Sequence, residues 1–203
     1  VHDIILVERN IYMLDYMRIS EEYRYKTELH AHTKPVSLCS EITPEEIVRA
    51  YYEYGCDTLT VTNHLNPDWT PSRTDEYLSG YYDTKKAAEG TGMNVVLGVE
   101  IRFTENANDY LVYGVSFGDI EKMIRLIPYG ITEFYKEIKT RENIILQAHP
   151  FRNGMTLAPL DSIDGIETFN MHPGHNSRVA VACRYAAEHS LLVSGGTDYH
   201  HPG

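Results

Sequence analysis

The chain has 203 residues, 18 of them basic and 29 acidic, for a formal net charge of −11. At 42% hydrophobic and 23% charged it sits in the ordinary globular range, which excludes a disordered or fibrous chain, and its length suits one domain. The acidic balance argues against wrapping duplex nucleic acid, which needs clustered Lys and Arg, and no apolar run approaches the roughly 20 residues of a membrane span.

After an N-terminal stretch without clear periodicity (Val1–Glu22), the chain alternates short apolar runs with amphipathic ones. Tyr25–His32 reads as a strand. Thr43-Pro44-Glu45-Glu46 opens a helix: Thr43 suits the cap, Pro44 the first helical position, and Glu46 completes a capping box. That helix runs to Tyr54 and stops at Gly55, a natural left-handed cap. Asp57–Asn63 (DTLTVTN) is rich in β-branched residues and reads as a strand. Thr74–Glu89 is a helix ending at Gly90, Asn94–Phe103 and Asp109–Ser116 are strands, and Asp119–Thr140 is helical with breaks at Pro128 and Gly130. Asn143–Ala148, Gly165–Phe169 and Leu191–Gly195 are further short strands, the last two flanking a helix at about Asn176–His189. Strands alternating with helices imply parallel β/α units, and their number predicts an α/β barrel or near-barrel.

Histidines and carboxylates fall where these strands end. His30 and His32 end the first and His64 follows the second. Glu100 lies late in the third, His149 follows NIILQA, and Asp198 and His200 follow the last. In β/α barrels catalytic groups gather at the C-terminal face of the strands. Residues i and i+2 on a strand point the same way, so His30 and His32 can grip one ion, as can Asp198 and His200 if that segment is extended. Imidazole with carboxylate suits zinc, manganese or iron. Taken alone, a His-x-His or a strand-end His64 or His149 reads as an ordinary hydrogen-bonded residue. Glu100 inside VVLGVEIRF differs, because an acid in a buried apolar strand is expensive unless paired or coordinated. The joint placement makes the metal centre the reading.

Together ELHAHT (Glu28–Thr33), VTNH (Val61–His64), GVE (Gly98–Glu100), AHP (Ala148–Pro150) and GTDYH (Gly196–His200) resemble the successive motifs of the PHP (polymerase and histidinol phosphatase) metal-dependent phosphoesterases. The resemblance covers about Tyr25 to the C-terminus and implies a distorted (β/α)7 TIM-like barrel with two or three divalent ions at its C-terminal face. It implies that His30, His32, Glu100 and Asp198 hold one ion, that Glu100 bridges to a second held by His149, and that His64 and His200 belong to a third. Two departures stand out. KPVSLCSE, with Ser37, Leu38 and Cys39, replaces the usual Asp or His of the loop after His32, and Asn63 replaces an acid.

If the centre is real, positive groups beside it should bind the equatorial oxygens of a phosphoryl group. Arg152, after the His149-Pro150-Phe151 turn, is the first choice for a phosphate clamp; Arg102, two residues beyond Glu100, and Arg178 are others. His172 or His175 could protonate a leaving alkoxide, His172 could instead complete the second ion's shell, and Asn170 would orient the site. The expected partner is a small phosphorylated substrate, with hydrolysis of a phosphomonoester or small phosphodiester as the reaction. The alternatives are a metal-dependent hydrolase of carbon–nitrogen bonds and a non-catalytic metal-stabilised regulatory module. No basic-then-apolar leader is visible, so a cytoplasmic location is expected, and three scattered cysteines fit a reducing compartment. Cys56 and Cys183 are expected in the core, and Cys39 either packed or a soft ligand.

Overall fold

The structure, a computed structural model, describes residues 18, 21–173 and 176–201. Most of the N-terminal stretch, and His175, lie outside the described residues. The described residues form eight strands: β1 (Thr27–Ala31), β2 (Thr58–Val61), β3 (His64–Leu65), β4 (Asn94–Arg102), β5 (Asp109–Tyr113), β6 (Ile144–Gln147), β7 (Gly165–Asn170) and β8 (Leu192–Gly196). The sheet runs β1-β2-β4-β5-β6-β7-β8, with the short β3 pairing onto the end of β4. Beyond β8 the chain returns to β1: Asp198 N–H donates to His30 O (2.8 Å) and Ala31 bridges to Tyr199 in parallel. The sheet is thereby nearly closed, and the architecture is the distorted β/α barrel the motifs imply.

Among the described residues the α-helices that cover it are α1 (Pro44–Glu53), α2 (Thr74–Ala87), α3 (Asp119–Leu126), α4 (Gly130–Ile138) and α5 (Val179–Glu188). α1 starts where its cap residues dictate. Glu46 N–H donates to Thr43 Oγ1 (3.2 Å) and Thr43 N–H donates to the Glu46 carboxylate (2.9 Å), the reciprocal capping box. Gly55 follows at φ +70°, the left-handed conformation expected of it. A single 3-10 turn, Ile127–Tyr129, separates α3 from α4 at the predicted Pro128–Gly130 break. Among the described residues no helix is long and apolar enough to cross a membrane.

Two expectations fail. The strands are not all parallel: β5 runs antiparallel to both β4 and β6. The short Phe103–Asn108 connection allows a hairpin, whereas a parallel crossover needs a dozen residues or more. Cys183 is exposed rather than in the core, because α5 turns Ala182 and Ala186 inward, while Cys56 is half-buried and Cys39 exposed.

The period-two alternation of the strands divides the core into two layers. Along β5, Tyr110 and Val112 join the large cluster between sheet and helices, while Leu111 packs with Leu146 and Ala148 in a small inner cluster bordered by Tyr113. The inside of so narrow a barrel forces small residues where strands crowd. A Cβ on Gly98 would lie 2.8 Å from the methyls of both Thr60 and Thr62, and one on Gly196 would lie 2.4 Å from His30 Cβ.

Candidate metal centre

One end of this barrel gathers the histidines and carboxylates. β1 delivers His30 and the residue just past its end is His32, the end of β4 delivers Glu100, and the segment after β8 delivers Asp198 beside His30. The tiny β3 places His64 directly across from Glu100 in register. All but His64 are less than a tenth exposed.

The inward atoms converge on one point. His30 Nε2 lies 3.1 Å from His32 Nε2, 3.3 Å from Glu100 Oε2 and 3.3 Å from Asp198 Oδ1. His32 Nε2 lies 3.1 Å from the same Glu100 oxygen and 3.2 Å from the same Asp198 oxygen. An ion held tetrahedrally at about 2.0–2.1 Å sets its donors about 3.3–3.4 Å apart, close to these separations.

The far side of each ring is already engaged. His30 Nδ1–H donates to Glu167 Oε1 (2.8 Å), since a carboxylate can only accept. Ser37 Oγ–H donates to Asn63 Oδ1 (3.0 Å), and Ser37 Oγ accepts from His64 N–H (2.9 Å), so His32 Nδ1 must be the donor in its 3.3 Å contact with Ser37 Oγ. Both rings therefore present Nε2 to the centre, as metal-binding imidazoles fixed by a second partner do. Glu100 Oε2 is buried without a hydrogen bond although three imidazole nitrogens approach it. A buried set of acceptors closing on one point fits a cation.

Electrostatics agree. Burial opposes charging His30, but Glu167, Glu100 and Asp198 together outweigh it and raise its pKa well above the ordinary value. His32 and His149 are raised against the same burial, chiefly by hydrogen bonds to Asp198 and Glu100 for His32 and to Glu100 for His149. Burial also opposes ionising Glu100 and Asp198, yet the surrounding histidines hold both carboxyls below their usual range. The negative field that favours a proton on these rings favours a divalent ion more. At the margin, burial lowers His64 to about 3 and His200 to about 4, so both rings are neutral and available as donors.

Glu100 faces two ways. Its Oε2 belongs to the His30–His32–Asp198 set, and its Oε1 lies 3.2 Å from His149 Nε2. His64 Nδ1 is 3.1 Å from Glu100 Oε2, and His64 belongs to two donor groups, one with His32 and His200 and one with Glu100 and Asp109. His32 stacks between His200 and His64 at ring separations of 4.3 and 4.5 Å. His149 (φ +30°) and Asp198 (φ +52°) both hold left-handed backbone, uncommon away from glycine and often found at functional sites.

The arginines divide. Arg152 is half-buried on the turn after His149 and makes no side-chain hydrogen bond or ion pair with the described residues. Arg102 is turned to Asp109, donating from Nε and Nη2 at 2.6 Å each. Arg178 donates to Phe151 O and Asn153 Oδ1, both 2.8 Å, and so ties down the loop that carries Arg152. His172 stands edge-on to His200 with ring centroids 5.1 Å apart. Asn170 Nδ2 donates to Glu167 Oε2 (3.0 Å) and Asp198 Oδ2 (3.1 Å), joining two acids of the site. Cys39 is exposed, and Ser37 fills the position beside His32.

Glu28, Glu167 and Asp109 went unrecognised in the sequence. Glu28 accepts from the backbone N–H of His30 (2.7 Å) and Thr197 (3.0 Å), fastening the seam where the barrel closes. ELHAHT and GIETF each show a carboxylate in an apolar strand, the signal that singled out Glu100.

The chain belongs to the PHP family: the PHP domain model matches residues 28–198. Among curated proteins none matches. Solved structures share the fold. An inferred metal-dependent phosphoesterase from Bifidobacterium adolescentis superposes with TM-score 0.60 at 17% identity over 87% of this chain and 88% of that one. A two-domain protein from Bacteroides vulgatus that contains an inferred PHP-like metal-dependent phosphoesterase gives TM-score 0.66 at 19% identity, over 88% of this chain and 52% of that one. An amidohydrolase from Chromobacterium violaceum, with bound sulfate and no metal, gives 0.57 at 14% identity over 88% of each chain.

Proposed function

We propose that the protein is a metal-dependent phosphoesterase that hydrolyses a phosphomonoester or small phosphodiester. The observation that carries this reading is Glu100, a buried carboxylate whose two oxygens face two donor sets. His30, His32, Glu100 and Asp198 would hold one divalent ion, Glu100 and His149 a second, and His64 with His200 would serve a third. Bound there, such ions supply Lewis acidity and lower the pKa of water.

The chain's own groups do the rest. Glu167, Asn170 and Ser37 hold the ligands in orientation. Arg152, unpaired among the described residues, binds the phosphoryl oxygens through its guanidinium fork, and Arg178 fixes its loop. Water adds to phosphorus and loses a proton to solvent as the ester P–O bond breaks, and the leaving alkoxide takes a proton from His172, which solvent then restores. Arg102, engaged with Asp109, is a weaker candidate for substrate than Arg152.

The resemblance to an amidohydrolase keeps hydrolysis of carbon–nitrogen bonds as a second reading. The sulfate bound to that neighbour has the size and charge of phosphate and supports the first. A screen of phosphomonoesters, phosphodiesters and amides with manganese and zinc separates them. The proposal expects cleavage of a phosphate ester, read as released alcohol, that is lost in Glu100→Gln; amide cleavage without phosphate-ester cleavage would overturn it.

A further inference from the structure

The donor sets of the centre differ in charge. His30 and His32 meet the carboxylates of Glu100 and Asp198 at one point, and Glu100 carries its charge on to His149. The group of His32, His64 and His200 is made of imidazoles alone. Its His32 is already claimed, since Nε2 is turned to Glu100 Oε2 and Asp198 Oδ1 in the first set. His200 Nδ1–H donates to Asp198 O (2.7 Å), which leaves Nε2 as its open nitrogen. His64 Nδ1 is buried without a hydrogen bond, and the acid beside it, Glu100 Oε2 at 3.1 Å, is the oxygen the first set uses. Asp109, also within reach of His64, is gripped through both oxygens by Arg102 at 2.6 Å.

The loop after His32 brings this group no charge. Ser37 is fully buried, and its hydroxyl is spent on Asn63 Oδ1 (3.0 Å), on His64 N–H (2.9 Å) and on His32 Nδ1 (3.3 Å). Asn63 is neutral and locked in turn: Oδ1 accepts from Thr33 N–H (2.8 Å), and Nδ2 donates to Thr33 Oγ1 (3.0 Å). Cys39 is exposed and belongs to none of the donor groups among the described residues. Manganese stands low in the affinity order and favours oxygen donors, so two imidazoles hold it weakly. An ion placed here would also be repelled by its divalent neighbours, with no negative charge of this group to offset them.

We propose that the third ion of this chain is conditional: His64 and His200 hold it only together with a phosphoryl oxygen, which supplies the negative donor that Ser37 and Asn63 do not. This rests on the proposed metal centre and sets the third ion apart from the other two. Because the coupling is reciprocal, the same ion must tighten the binding of the phosphoryl group. Selection of a phosphorylated ligand would thus begin at Ser37, a residue that touches neither partner.

The test is a calorimetric titration of metal-stripped protein with manganese, in buffer without phosphate and again with inorganic phosphate. The parent is expected to take up one ion more when phosphate is present, with an affinity for it raised by about tenfold or more. His200→Ala should lose that added ion and keep the others. Ser37→Asp should bind it without phosphate, and Cys39→Ser should behave as the parent does. A parent that takes up the same number of ions with and without phosphate would overturn the inference while leaving the metal centre standing. So would an added ion that Cys39→Ser abolishes, which would assign the missing charge to the thiol. No uptake by the parent under either condition would overturn the metal centre as well.

Discussion

Glu167 shows how far the centre extends beyond the atoms that would touch an ion. One of its oxygens accepts from His30 Nδ1 and the other from His149 N–H and Asn170 Nδ2, so a single carboxylate orients groups from three segments. Removing such a partner typically lowers metal affinity about 10–100-fold, and Glu167→Gln should do so with little change in fold, read as a shift in the manganese titration midpoint. His172 makes a different prediction. If it protonates the leaving group, His172→Ala should slow hydrolysis of alkyl phosphates by roughly 100-fold or more, yet barely affect p-nitrophenyl phosphate, whose leaving group needs no proton. Equal loss on both substrates would assign His172 to binding instead. Two residues read from the sequence make contacts in the structure that the sequence did not show. Arg102 is absorbed by Asp109, and His64 faces Glu100 as well as the His32–His200 side.

At the scale of elements, the start of α1 and the crowding at Gly98 are separately testable. Thr43→Ala removes one half of the capping box and should cost about 1 kcal/mol, about 2–4 °C in a chain of this size, with no effect on ion binding. Gly98→Ala presses a methyl against Thr60 and Thr62 inside the barrel and should cost about 1–3 kcal/mol; both are measured by thermal or urea unfolding. Most elements were legible because their signals are local: the Thr43 box, the Gly55 stop, the Pro128–Gly130 break, the β-branched run before His64. Strand direction is not local. Asp109–Ser116 looks the same read in either sense, and taking it as parallel puts Asp109 at the far end of the barrel from Glu100. The one reversed strand thus hid Asp109, while His30, His32, Glu100, His149 and Asp198, on parallel strands or just beyond them, could be placed at one rim from order alone. β3 escaped for a related reason, since two residues carry no periodicity and His64–Leu65 becomes a strand only by pairing with β4.

Over the whole molecule, the barrel closes around a polar centre rather than a wholly apolar one. Glu28, His30, Glu100, Glu167 and Asp198 line the region where an ordinary barrel packs Val, Ile and Leu. The large core between sheet and helices is enough to fold the chain, so the ions are expected to tighten the structure rather than create it. A ligand bound at about 100 times its dissociation constant adds about 2.7 kcal/mol, so chelator treatment should lower the unfolding midpoint by about 5–10 °C without abolishing cooperative unfolding. Ion uptake should weaken as pH falls, because the ligating imidazoles and carboxylates must be deprotonated.

The most direct test of the account is the number of metal ions per chain, measured by elemental mass spectrometry on protein purified without chelator, beside Glu100→Ala. The account predicts two or more divalent ions per chain in the parent and a sharp fall in the variant, since Glu100 serves both donor sets. A parent that carries no metal, even after manganese or zinc is added back, would contradict it and leave the converging histidines as a structural cluster.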